Sequence, residues 1–248
     1  MRRIFAFVAL ACVATLPVLA VAAAPGPPGM KRLDLKHENI VVFYPAAAAT
    51  PLDHAPAWTS GYRDAGVYVD VPLLLALGKG APKLALACDS GGSNDPSCRL
   101  LTNADDADSV VFESPGNRFV FRATGEIEVS GATDFMYDHR RLFRLDGVKW
   151  KEVAQPFRYV GIDGRTKAAL TLTVTPHSLS ADVLPIPIAT LPAGTPLTIL
   201  LNAAAGDDEN GQNPDYLVKT REGIVGWANI PQHADGTSDV EGLTYSGD

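Results

Sequence analysis

The sequence predicts an all-β, mainly antiparallel protein: an N-terminal β-rich domain followed by a second, smaller β domain. Three observations predict it. Short runs rich in Val, Ile, Phe and Tyr recur between Gly, Pro, Asn and Asp. No stretch carries a long apolar pattern at helical period. Asp146-Gly147 and Glu222-Gly223 each lie between apolar flanks, as hairpin turns do. With 248 residues, 46% hydrophobic and 20% charged, the chain can bury one large or two small cores.

Residues 1–22 read as an export signal. Met1-Arg2-Arg3 is a positive start, residues 4–24 are uncharged, and Ala20-Val21-Ala22 places small residues where a signal peptidase cuts. The rival reading is an uncleaved membrane anchor, since the run is long enough to span a bilayer. Pro17 and the Ala-rich end favour cleavage after Ala22. The expected location is periplasmic or secreted, with membrane contact only if the segment is retained. The formal charge of −7 becomes −9 without Arg2 and Arg3. That acidic balance excludes general nucleic-acid binding, which needs Lys and Arg to neutralise phosphate. Cys12 leaves with the signal. Cys88 and Cys98 then form an even pair ten positions apart around Gly91, Gly92 and Pro96, and a disulfide is expected.

Residues 23–36, with Pro25, Pro27 and Pro28, read as a flexible leader. A β-rich domain of unknown role is expected over 37–175. Its strands are predicted at 39–44, 66–71, 83–88, 109–113, 118–122 and 126–130, each rich in β-branched or aromatic residues and bounded by turn formers. Residues 73–77 are open between a buried strand and one helical turn. Asp146-Gly147 predicts a type I′ turn pairing Leu145 with Val148, Arg144 with Lys149, Phe143 with Trp150 and Leu142 with Lys151. Arg141 then faces Glu152. Leu145, Val148, Phe143 and Trp150 share an apolar face, and Arg144, Lys149 and Lys151 share a basic one. That face is a candidate for an anionic envelope polymer or an acidic partner. Solvated charges that discourage edge pairing would read the same way. A further strand is predicted over 155–161, entered through Pro156.

Catalytic and metal chemistry finds little purchase. Asp89-Ser90-Gly91-Gly92 resembles the nucleophile motif of chymotrypsin-like proteases, but Cys88 replaces its leading Gly. His54 also lies too close in sequence to supply the base of a two-barrel enzyme. His37, His54, His139, His177 and His233 never occur at i, i+3 or i, i+4, so no local metal-ligand pair exists. The runs at 105–108 and 207–211 hold oxygen ligands without the register of a calcium loop. No phosphate-cradling glycine motif is present. No catalytic residue and no cofactor is expected. A glycosidase carboxylate pair needs no sequence proximity and stays open.

From residue 176 the composition changes, through Leu184-Pro185-Ile186-Pro187. Leu191, Pro192 and Gly194 precede a strand with Leu197, Ile199 and Leu200. A later hairpin holds Tyr216, Val218, Gly223, Gly226 and Trp227. This pattern resembles the bacterial SH3-like (SH3b) domain, in which a Leu-Pro-x-Gly turn precedes a hydrophobic strand and a hairpin ends in Gly-Trp. The resemblance covers about 45–50 residues and implies a small SH3-like barrel over 176–236. It also implies contact with peptidoglycan, another envelope polymer or an envelope protein. The family's Asn-Val-Arg-Ser-Gly-Pro run is replaced by 181–188, so no ligand-contact residue carries over. A two-residue turn at Glu222-Gly223 pairs Val218 with Trp227 and Thr220 with Val225 inside that barrel. Residues 237–248 are expected to be a frayed acidic tail. The expected function is an exported binding protein of the envelope. The alternative is a glycan or peptide hydrolase with its active site in 37–175.

Overall fold

A computed structural model describes residues 26–92, 95–179, 185–203 and 214–246. The expected signal at 1–22, Cys12 and the acidic run 207–211 therefore lie outside the described residues. The chain builds three sheets. β1 (Met30–Leu35) and β2 (Ile40–Pro45) begin the first. There follow β3 (Ala49–Pro51), α1 (Thr59–Asp64), β4 (Val69–Ala76), β5 (Lys83–Asp89), β6 (Ser97–Leu101) and β7 (Val110–Pro115), whose strands form a five-stranded meander. The chain then returns to the first sheet with β8 (Arg118–Phe121), β9 (Glu126–Gly131), β10 (His139–Asp146) and β11 (Lys149–Glu152), in the order β1-β2-β8-β9-β10-β11. β8 runs parallel to β2; the other pairings between named strands are antiparallel. The third sheet holds β12 (Phe157–Arg165), β13 (Leu170–Thr173), β14 (Pro187–Leu191), β15 (Pro196–Ala203), β16 (Asp215–Thr220) and β17 (Val225–Asn229), ordered β12-β15-β16-β17-β13-β14. The protein is all-β and mainly antiparallel.

Strand alternation explains the packing. Ile40, Val42, Phe119, Phe121, Ile127 and Phe143 point from the first sheet into one core with Leu75, Leu86, Leu100 and Phe112 of the second. Each such side chain taken out of water contributes about 1.5–3 kcal/mol. The second sheet's other face is covered by the segment carrying α1. There Trp58 packs near Ala85, Ala87 and Leu101, and its Nε1–H donates to the Ala104 carbonyl at 2.8 Å. Cys88 and Cys98 stand directly opposite each other on β5 and β6, with Cα atoms 4.1 Å apart, and are joined as a disulfide. Such a bond is consistent with an oxidising compartment.

Several expectations are corrected. The residues read as a flexible leader contain β1, whose Leu33 and Leu35 face the core while Arg32 and Asp34 point to the other side. Residues 73–77, open in the sequence between a strand and a helical turn, resolve largely as strand in β4. The expected boundary at 175 moves, because β12 and β13 pair within the third sheet rather than with the strands before them. The acidic tail is not frayed over 238–246. Val240 and Leu243 are fully buried in the third sheet's core, beside Met136 and Tyr137 from the connection between β9 and β10.

Both hairpin registers differ from expectation, each for a turn-geometry reason. In β10–β11 the loop is Gly147-Val148, with Asp146 opposite Lys149 and Leu145 opposite Trp150. Gly147 alone has positive φ (66°), the pattern of a type II′ rather than a type I′ turn. A shift of two preserves the faces, so Phe143 and Trp150 still reach Phe112, but Val148 sits at the tip, 78% exposed. In β16–β17 the loop has three residues ending at Gly223 (φ 93°), and Val218 pairs with Gly226, Leu217 with Trp227. That one-residue slip moves Trp227 to the face opposite Val218. The expected barrel-interior tryptophan is an outer-face one.

Candidate binding surface

The residues singled out by sequence largely satisfy one another. Arg144 Nε donates to Glu126 Oε1 at 3.0 Å on the neighbouring strand, and Lys151 meets Asp146 at 2.6 Å. Lys149 has no ion pair among the described residues. The three cations do share a face, Arg144 lying opposite Lys151, but carboxylates are interleaved with them. Ser90 is no activated nucleophile: its Oγ accepts the Tyr68 N–H at 3.2 Å. Asp89 faces no histidine. Its carboxylate accepts from Arg99 Nη2 (3.0 Å), the Gly91 N–H (3.0 Å) and Ser97 Oγ (3.3 Å). His54 lies between Asp53 and Asp105, at 2.9 and 3.1 Å, and those hydrogen bonds raise its pKa. Among the described residues, no group of three or more His, Cys, Asp or Glu could hold a metal ion.

One buried carboxyl stands apart. Glu38, in the β1–β2 turn, is 2% exposed, and its Oε2 has no hydrogen-bond partner. Burial holds its pKa above the ordinary 4.5, and the charge of Asp70 adds to the rise. Asp70 itself lines a cleft of about 330 Å³ together with His54, Thr59 and Arg63.

A different surface emerges where the first and third sheets meet. On the outer face of the third sheet the registers align Tyr159 with Leu201, Leu201 with Leu217, and Leu217 with Trp227. Tyr159 is 54% exposed and Phe157 40%. The Phe157 ring leans to 5.7 Å from Trp227. Tyr159 folds back over Gly161, whose φ of 69° favours glycine and whose missing side chain leaves room for the phenol ring. The Arg140 guanidinium lies 5.3 Å from the Tyr159 ring, a cation–π contact. Arg140 belongs to the first sheet, where Arg118 pairs with Ser130 and Ser130 with Arg140. The aromatic row thus continues into a row of arginines across the sheet junction.

Sequence reasoning missed this surface, although it placed a strand over Phe157 and Tyr159. Their alternation was legible; the partners come from distant strands, and Trp227 had been assigned to the interior. Comparison of the chain with protein-family models, curated proteins and solved structures finds no match.

Proposed function

We propose that this protein is an exported, periplasmic or secreted binding protein of the bacterial cell envelope. Its contact is peptidoglycan, taken on the row Tyr159–Leu201–Leu217–Trp227. The observation that carries the reading is this line of half-exposed aromatic and aliphatic side chains on an outer sheet face. At the ordinary strand spacing it spans about 14 Å. Aromatic faces carry partial negative charge and pack against the C–H face of a sugar ring. The predicted export signal, the disulfide and the SH3-like resemblance support the same setting. Co-sedimentation with purified peptidoglycan tests it. Tyr159→Ala and Trp227→Ala are each expected to weaken binding about tenfold with far-UV circular dichroism unchanged. Wild-type affinity in both would reject the row as the contact.

One observation favours the alternative, an envelope hydrolase acting on glycan or peptide: the high-pKa Glu38 beside Asp70 has the character of a general acid. Glu38→Gln separates the two readings. For a hydrolase, it should abolish release of fragments from labelled peptidoglycan. For a binding protein, only stability should change. The unfolded chain ionises Glu38 first as pH climbs past 4.5, so the folded state is penalised from there upward. Glu38→Gln is then expected to raise the thermal midpoint at pH 7, with the gain shrinking as pH falls through the carboxylate range. A variant less stable than wild type at pH 7 would contradict the burial account.

A further inference from the structure

We infer that the polymer recognised here is anionic, and that Arg118 and Arg140 read a carboxylate carried by its glycan strand. The inference rests on the aromatic row being the contact, and it names the chemistry of what that row holds.

Beside Arg140 lies a cleft of about 560 Å³ lined by Arg118, Arg140, Arg141, Gln155, Glu128 and Asp138. Both carboxylates are already engaged: Glu128 accepts from Arg122, and Asp138 accepts from Arg140 Nε at 3.2 Å. Arg118 has no carboxylate partner among the described residues; its guanidinium lies 5.0 Å from the Phe43 ring. Arg141 is turned inward: its Nη2 donates to the Pro115 carbonyl, its Nε is buried without an acceptor, and the charge of Glu152 acts on it. The cleft is lined by three arginines and two carboxylates, a small local surplus of positive charge in a chain whose formal charge is −7. A guanidinium presents parallel donors matched to a carboxylate, and a ligand carboxylate is the partner that Arg118 lacks.

The position decides where on the ligand that carboxylate sits. Arg118, Ser130 and Arg140 occupy directly opposite positions on three neighbouring strands, and Arg140 touches Tyr159. Arg140 therefore joins the arginines to the aromatic line at its Tyr159 end. A strand whose sugars stack along Trp227 to Tyr159 brings its next sugar, not a side branch, over Arg140 and Arg118. A carboxylate borne on the sugar, such as a lactyl ether, falls there; one at the end of a stem peptide does not.

Two probes with one backbone test this: peptide-free peptidoglycan glycan strands, which carry lactyl carboxylates, and neutral chitohexaose, which does not. Wild-type protein is expected to bind the acidic strands roughly tenfold more tightly in low salt, with the preference fading as ionic strength rises. Arg118→Gln should remove the preference while retaining chitohexaose binding; Arg140→Gln should remove it too, with some loss of chitohexaose binding because Arg140 also packs on Tyr159. Arg118→Lys, which keeps the charge and the stem over Phe43, should retain part of it and guards against a folding artefact. Equal binding of both probes by wild type would overturn the carboxylate inference and leave the aromatic row standing. Displacement from intact peptidoglycan by free stem peptide, but not by glycan strands, would overturn the assignment to the sugar. Loss of binding to every probe and to intact peptidoglycan would defeat the underlying reading instead.

Discussion

Arg99→Ala is expected to destabilise the fold by about 3–5 kcal/mol, because it strands a buried carboxylate. The Arg99 and Asp89 side chains are each only 12% exposed and meet at 3.0 Å across β5 and β6. Asp89 also organises the turn that follows it, through the Gly91 N–H and Ser97 Oγ. Arg99 carries a second duty: its guanidinium lies 5.8 Å from the Trp58 ring and 5.7 Å from that of Tyr62, clamping the α1 segment to the sheet. Truncation removes charge and clamp together. Equilibrium urea unfolding measures the loss. Asp89→Asn combined with Arg99→Met, which removes both charges and keeps much of the packing, should recover a substantial part of it. A single-variant loss under about 1 kcal/mol would mean that the pair is screened as a surface one is.

The second large effect is acid sensitivity at His139. The imidazole is 5% exposed, its ring centroid is 3.9 Å from that of Phe135, and its Nδ1 lacks a partner. Burial above all, then the positive charges of Arg158 and Arg141, pushes its pKa from 6.5 down to about 3. The folded protein therefore keeps His139 neutral while the unfolded chain takes up a proton below 6.5. The stability this provides is complete above pH 6.5 and is lost progressively toward pH 3, at up to about 1.4 kcal/mol per pH unit. Carboxylates titrate over part of the same range, so the informative quantity is a difference. His139→Leu should be less acid-sensitive than wild type between pH 6.5 and 4, with the two unfolding curves converging or crossing. Parallel curves across that interval would place the imidazole in water.

The all-β class and most strands of the sandwich were legible because β-branched and aromatic residues alternate between turn formers. β1 was not: Lys31, Arg32 and Asp34 interrupt it, and only its pairing with β2 reveals that Leu33 and Leu35 point inward. β6 was hidden for another reason. Cys98 read as the far end of a closed loop, whereas it sits inside a strand opposite Cys88. The two hairpins show how local error propagates. A two-residue misreading of the Gly147 turn left every face intact, while a one-residue misreading at Gly223 inverted them and put Trp227 on the wrong side. The candidate surface inherits that sensitivity. Tyr159 and Phe157 announce themselves as alternating aromatics, but their union with Arg140 and Arg118 depends on two sheets meeting at one register. No local pattern encodes that meeting.

The course of residues 238–246 has a temporal meaning. Ser246 bridges to Thr133 and Phe135, the Tyr245 hydroxyl reaches Asp134 across 111 positions, and Val240 and Leu243 complete the third sheet's core. All eleven strands of the sandwich precede residue 153. A chain emerging amino-end first, from a ribosome or a translocation pore, can finish the sandwich while the third sheet still gapes. Contacts of such long span form late. The seam between the sheets, where the aromatic and arginine rows join, is therefore among the last parts to take shape. The candidate surface is complete only once residues 238–246 have packed.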